Sequence, residues 1–133
     1  FLVRGACGRM NLPEYVISLV RPILNGQLLP VIIFILIALL TFITSSFWGI
    51  EAIALPIVVP LAAALDSNLL LVLAAVVSGG VFGSHACFYS DATVLSSATC
   101  EIDNMSHAVT QIPYAIIGAV IASIGYIICG YLM

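Results

Sequence analysis

The chain has 133 residues, of which 63% are hydrophobic and only 7% are charged. A soluble domain carries roughly 25% charged residues, so this composition excludes a soluble globular enzyme. Lys is absent and the three Arg are too few for a basic stripe, which excludes a nucleic-acid binder and leaves a protein embedded in lipid.

The first 27 residues are of mixed composition and contain all three Arg. Asn11 followed by Pro13 is typical of a helix start. We predict that residues 1–27 form a linker or an interfacial helix rather than a membrane span. The chain opens at Phe1 without an initiator Met and lacks the basic n-region and small-residue cleavage site of a signal peptide. We therefore expect it to be a fragment, or a processed numbering, of a longer protein.

Two short apolar runs follow, separated by a polar joint. The first, at 28–44, reaches only ~25 Å as a helix, short of the ~30 Å hydrocarbon core. The joint reads TSSFWG at 44–49, and the second run, at 50–65, contains Pro56 and Pro60. This arrangement predicts a helical re-entrant hairpin over about 28–65, its tip held inside protein. The alternative of two ordinary short spans joined by a tight turn stays open.

The third apolar run, at 69–82, is also too short to cross alone. It ends among Gly79, Gly80 and Gly83, and helical composition resumes near Ala92. Because glycine permits the dihedral angles that a helix break requires, we predict one broken transmembrane helix over about 69–98. The last apolar run spans comfortably and predicts a final transmembrane helix over about 110–133.

Acidic residues are the only side chains of formal charge beyond Arg21. They are Glu51, Asp66, Asp91, Glu101 and Asp103. A membrane-embedded region whose only charged side chains are acidic favours a cation as its ligand. We expect Asp66, Glu101 and Asp103 to lie in loops or to be protonated.

Hydroxyl groups cluster at both predicted interruptions. Broken helices in transporters coordinate ions with free backbone groups and half-helix ends, and hydroxyl oxygens with one carboxylate form a hard-oxygen set that suits Na⁺. The alternative for each hydroxyl is a bond to its own helix. At spacings of three and four residues we expect Thr93, Ser96 and Ser97 to share one helical face. The full set is Thr44, Ser45 and Ser46 at the hairpin tip, with Ser90, Thr93, Ser96 and Ser97 at the break.

Asp91 is the predicted exchangeable group. Placing a carboxylate inside the membrane is unfavourable in free energy, and such residues are typically part of an ion pathway. Burial favours its proton and a nearby cation favours its charge, so one group can hold either H⁺ or Na⁺. We place Na⁺ at Asp91 with Ser46 and Thr93. The alternative is a structural Asp91 that caps the second half-helix through the amides of Thr93 and Val94.

Other residues are expected to support these sites. Glu51 is a second proton-binding group or lies at an aqueous funnel, and Trp48 is an interfacial anchor or a packing wedge at the tip. We expect Gly49, Gly83 and His85 to support the helix interruptions.

Three stretches resemble the NhaC family of Na⁺/H⁺ antiporters, within the larger ion-transporter superfamily. They read TSSFWGIEAIALPIVVPLA at 44–62, FGSHACFYSDATVLSS at 82–97 and HAVTQIPYA at 107–115. The resemblance implies that 28–133 is the C-terminal transport repeat of an inverted-repeat antiporter, with Na⁺ as substrate and H⁺ as counter-ion. It also implies a multi-pass protein of a prokaryotic plasma membrane, paired with its own N-terminal half and forming homodimers. No cofactor is expected beyond the transported ions.

Two other functions are alternatives. An antiporter of the same superfamily could exchange a small carboxylate such as malate or lactate against Na⁺ or H⁺. It would need basic residues or half-helix N-termini facing the anion, and no basic residue follows Arg21. An intramembrane hydrolase using His85 or His107 is the remote alternative, since it needs a base within reach of its nucleophile and no GxSxG motif is present. We therefore expect a transporter and not an enzyme.

Overall fold

The computed structural model describes residues 26–132. Within that range all regular structure is helical: α1 at Leu29–Thr44, α2 at Phe47–Ala64, α3 at Leu69–Ala86, α4 at Asp91–Thr99 and α5 at Asn104–Leu132. By length and composition, α2, α3 and α5 are able to cross a membrane. The predicted all-α membrane fold is confirmed. All but the last two residues of the segment predicted as a linker or interfacial helix, 1–27, lie outside the described residues.

The predicted hairpin corresponds to α1 and α2. Only residues 45 and 46 separate the two helices, because Ser45 adopts a left-handed conformation, with φ 61°, that ends α1. The second arm is longer than its apolar run, since α2 begins at Phe47 and has 18 residues. The expectation that this arm is short is therefore wrong. Re-entry into the membrane, as opposed to a full crossing, stays a prediction.

The helix break lies later than the glycines predicted. Gly79, Gly80 and Gly83 are all within α3, which continues to Ala86 and has 18 residues, so this run is not too short to cross. A Cβ on Gly79 would lie 2.7 Å from the Phe34 carbonyl oxygen. Small residues let two helix backbones approach closely, and these glycines serve that contact. The interruption itself is confined to residues 87–90.

Helix α3 is central and contacts each of the other four helices. Its Val72, Ala75 and Val76 are completely buried against α1 and α2. Helix α5 joins through Tyr126, whose ring centroid lies 5.5 Å from that of Phe34 and whose hydroxyl lies 2.6 Å from Ser78 Oγ. In lipid such contacts stabilise by close packing and hydrogen bonding rather than by removal from water.

The final helix begins earlier than the predicted 110–133. Asp103 Oδ2 accepts the Ser106 amide at 2.9 Å, which satisfies one of the free N–H groups of the first turn of α5. The helix has 29 residues, or ~44 Å, more than the ~30 Å hydrocarbon core. Of its described side chains only Ala108 and Gly130 are buried, so most of α5 is available to lipid or to another helix.

Candidate functional site

The hairpin tip is built from two consecutive serines. The Ser45 amide donates to the Thr41 carbonyl at 2.7 Å, which closes the last turn of α1. Ser46 is the N-cap of α2, and its Oγ accepts the Gly49 amide at 3.3 Å. A Cβ on Gly49 would lie 2.7 Å from that oxygen, so a residue without a side chain fits closely against this cap.

The tip contacts the break directly. Ser45 Oγ donates to the Tyr89 carbonyl at 3.1 Å, and the Tyr89 hydroxyl donates to the Ile43 carbonyl at 2.6 Å. The rings of Phe42 and Phe88 meet edge-on with centroids 6.4 Å apart. Two polar interruptions that are over 40 residues apart in sequence therefore form one junction.

Ser90 begins the second half-helix. Its Oγ accepts the Thr93 amide at 3.2 Å and donates to Thr93 Oγ1 at 3.0 Å, and both residues are buried. This is the N-cap arrangement in which a serine oxygen satisfies a free amide of the first turn. The two hydroxyls are held together and point into the protein.

Asp91 is the first residue of α4 and is exposed. Its Oδ1 accepts the Ala92 amide at 2.9 Å, and its negative charge lies at the positive end of the helix dipole. The alternative in which Asp91 caps α4 is wrong, because Ser90 provides that cap. The carboxylate thus directly follows the Ser90 cap, and its Oδ2 has no hydrogen-bond partner among residues 26–132.

The three hydroxyls of α4 do not share one environment. Thr93 and Ser97 are buried, but Ser96 is exposed and donates to the Ala92 carbonyl at 2.8 Å. Thr44 at the tip makes the same kind of bond, to the Leu40 carbonyl at 2.7 Å. Ser97 Oγ likewise lies within hydrogen-bond distance of its own helix, 3.0 Å from the Val94 carbonyl to which it donates. For Thr44, Ser96 and Ser97 the alternative of a bond to the residue's own helix is therefore observed. Only Thr93 and Ser97 share the buried face of α4.

Asn104 is a site residue that the sequence reading missed. Its Oδ1 accepts from Ser97 Oγ at 3.0 Å, and its Nδ2 donates to the Phe88 carbonyl at 2.7 Å. One side chain at the start of α5 thus links the break to α4. An amide after a short polar loop gives no sequence signal for such a contact.

Glu51 lies in α2 and is directed toward α3. Its Oε1 is buried and has no hydrogen-bond partner among residues 26–132; a Cβ on Gly80 would lie 3.7 Å from it. Nearby Trp48 is 75% exposed, and its ring meets that of Phe47 edge-on with centroids 5.1 Å apart; whether it is an interfacial anchor or a packing wedge stays a prediction. His85 is exposed in the last turn of α3, whereas Gly83 lies in the packed interface with α1 rather than in the break.

The predicted Na⁺ ligands are only partly brought together. In the part of the chain that the structure describes, no hydrogen bond joins Ser46 to Asp91 or Thr93, and tip and break meet through Ser45 and Tyr89 instead. The same residues hold no group of three or more His, Cys, Asp or Glu that could bind a metal ion. The oxygen donors here are hydroxyls, carbonyls and single carboxylates, a set suited to a hard monovalent cation.

Comparison with known proteins supplies the last observation. A family model described as the Na⁺/H⁺ antiporter family matches residues 3–131. A protein of Haemophilus influenzae, described as an uncharacterized protein, is 42% identical over 125 residues, which cover 93% of this chain and 24% of the relative. The chain thus spans about a quarter of that relative's length. No solved structure matches the chain.

Proposed function

The chain belongs to the Na⁺/H⁺ antiporter family, and on that basis we propose that it is part of a secondary transporter that exchanges Na⁺ for H⁺. The junction between hairpin tip and helix break is the observation that carries the proposal. Irregular backbone at membrane depth is tolerated where protein or a water-filled cavity satisfies it, and transporters use such interruptions to coordinate ions.

Asp91 is the proposed exchangeable carboxylate. It lies directly after the Ser90 cap, is exposed, and has one oxygen that no described residue occupies. In general a nearby cation favours the charged form of a carboxylate, and burial without a cation favours the protonated form. Competition between the two ligands for one group couples their opposite movements.

The hydroxyl and carbonyl oxygens around Asp91 complete the proposed cation site. We assign Ser45, Ser46, Ser90, Thr93 and Ser97 to it on their positions at the tip, the cap and the buried face of α4. Thr44, Ser96 and Ser97 would join only after release of the bonds to their own helices. Glu51 is a second proton-binding candidate, because its buried Oε1 lacks a partner among the described residues.

The wider assignments rest on the resemblance to the NhaC family. We propose that the chain is the C-terminal repeat of a multi-pass antiporter in a prokaryotic plasma membrane. Its partners would be lipid, the N-terminal half of the same transporter, and a second copy in a homodimer. The match that covers only a quarter of the relative's length supports a larger protein.

Exchange of a small carboxylate is less well supported. The N-terminus of α4 would suit an anion, but Asp91 occupies its first position and repels one. No Lys or Arg follows Arg21 to compensate. Family membership likewise favours a transporter over an intramembrane hydrolase.

The test uses the full-length protein in vesicles with an imposed pH gradient. Added Na⁺ should collapse the gradient in the wild type. In Asp91→Asn we expect the exchange rate to fall at least ~10-fold, a loss of about 1.4 kcal/mol or more, because an amide cannot exchange a proton for a cation.

The matched control is Asp66→Asn. Asp66 is exposed in the connection between α2 and α3, outside the junction, so its loss should leave exchange near the wild-type rate. Unchanged exchange in Asp91→Asn, with both variants folded by circular dichroism, would remove Asp91 from the mechanism.

A further inference from the structure

Thr41 is a completely buried residue whose hydroxyl is unused. It is 0% exposed, and Oγ1 has no hydrogen-bond partner within residues 26–132. Helical Thr and Ser side chains normally return such a bond to their own helix, as Thr99 does to the Leu95 carbonyl at 2.7 Å. An unpaired buried hydroxyl in a native protein points to a partner such as a water or an ion.

The hydroxyl lies where α1 packs on α3. A Cβ on Gly83 would come within 2.6 Å of Thr41 Cβ and 2.8 Å of the Phe42 amide nitrogen. Absence of a side chain at Gly83 thus leaves Thr41 directly against the α3 backbone. The Gly83 carbonyl accepts the amide of Cys87, the first residue of the break, at 3.2 Å.

Two helix C-termini meet beside this residue. Thr41 is in the last turn of α1, and Gly83 is in the last turn of α3. Each C-terminus carries partial negative charge from its free carbonyls. The last turn of α1 has no basic residue, and that of α3 has only the exposed His85. The local field therefore favours a cation.

We infer that the Thr41 hydroxyl is an additional ligand for the transported cation at this junction. Hydroxyl and carbonyl oxygens are the donors that hard cations prefer, and Thr41 is within one helical turn of Ser45 at the tip. The inference rests on the proposed function. It extends the site beyond the tip and the break to the packed surface between α1 and α3.

The test compares three variants in the full-length protein. Thr41→Val keeps the shape and removes the hydroxyl, Thr41→Ser keeps the hydroxyl, and Thr99→Val removes a hydroxyl outside the site. We expect Thr41→Val to raise the Na⁺ concentration for half-maximal exchange ~10-fold, equivalent to about 1.4 kcal/mol. For Thr41→Ser and Thr99→Val, the Na⁺ concentration for half-maximal exchange should stay within about twofold of the wild-type value.

Thermal unfolding separates binding from a structural role. Without Na⁺, Thr41→Val should melt at or above the wild-type temperature, because an unpaired buried hydroxyl is replaced by a methyl. Its stabilisation by added Na⁺ should be reduced. A variant that melts lower without Na⁺ and keeps the wild-type Na⁺ response would overturn the inference.

Two further outcomes are distinguishable. If Thr41→Val does not fold, Thr41→Ala must show the same weakened Na⁺ response, and an unchanged response overturns the inference. If the wild type is stabilised by Na⁺ through Thr41 but does not exchange it for H⁺, the proposed function fails and the ligand assignment stands.

Discussion

Tyr89 connects the two interruptions with both its backbone and its side chain. The carbonyl accepts from Ser45 Oγ, and the hydroxyl donates to the Ile43 carbonyl. Ile43 belongs to the last turn of α1, where carbonyls have no partner within the helix. Tyr89 thus provides a hydrogen-bond donor to a carbonyl at the C-terminus of α1, and it links the hairpin tip to the residues just before α4.

Replacement of Tyr89 by Phe should loosen this junction. The change removes one 2.6 Å hydrogen bond, which is worth about 0.5–1.5 kcal/mol net, and keeps the ring. We expect a lower melting temperature of the full-length protein and a lower exchange rate at saturating Na⁺.

Tyr114→Phe is the matched control for that change. Tyr114 is 77% exposed on α5, so its hydroxyl should be dispensable. Equal melting temperatures for the two variants would show that the Tyr89 hydroxyl does not hold the tip.

At the scale of helices, the contact between α1 and α3 positions the site. Gly79 and Gly83 are four residues apart and face α1, and a Cβ on either would meet backbone atoms at 2.6–2.8 Å. A clash with backbone atoms cannot be relieved by a rotamer change, as a clash with a flexible side chain can. The spacing of the two helices, and with it the position of Thr41 beside α3, depends on these glycines.

Gly83→Ala should therefore separate the helices. The added methyl would lie 2.6 Å from the Ala38 carbonyl oxygen, and overpacking of this kind typically costs about 1–3 kcal/mol. We expect a lower melting temperature and weakened exchange in the full-length protein, measured by thermal unfolding and by vesicle assay.

Gly118→Ala supplies the comparison. Nothing lies within 4 Å of a Cβ at Gly118, and Ala is a better helix former than Gly by up to about 1 kcal/mol. The melting temperature of Gly118→Ala should therefore match or exceed that of the wild type. A Gly83→Ala protein as stable as Gly118→Ala would contradict the packing role of Gly83.

The hairpin was predictable from sequence, whereas the place of the break was not. Polar residues 44–46 interrupt an otherwise apolar stretch, and the two helices end and begin within that interruption. Glycines such as Gly79 have two physical uses, permitting a break or permitting close approach. Only the position of the neighbouring helix decides between them, and that is tertiary information.

The same limit applies to individual site residues. Ser90 and Asp91 are both good N-cap residues, so composition cannot say which one caps α4. Asn104 bonds to Phe88, 16 residues earlier, and a contact of that kind follows from the turn between α4 and α5. The sequence names the candidate hydroxyl and carboxylate groups, and the fold decides which of them bond to neighbouring residues; their role as cation ligands stays a prediction.

At the scale of the whole molecule, the site is open on one side. Ser46 and Asp91 are exposed in the described part of the chain, although a dehydrated cation needs oxygen donors around it. Most apolar side chains of α5 are likewise exposed and do not pack against other residues within 26–132. Both features fit a chain that spans about a quarter of the length of its relative.

We expect that the 133-residue chain inserts into vesicles but does not transport. Its helices satisfy their own backbone groups, as lipid requires, yet in our proposal the N-terminal half of the transporter completes the cation site and closes it from water. Circular dichroism should report a helical protein in the vesicle fraction, and added Na⁺ should leave an imposed pH gradient unchanged.

The full-length protein at the same protein-to-lipid ratio should collapse that gradient. Na⁺-dependent collapse by the 133 residues alone would mean that the oxygens of this one junction suffice for exchange.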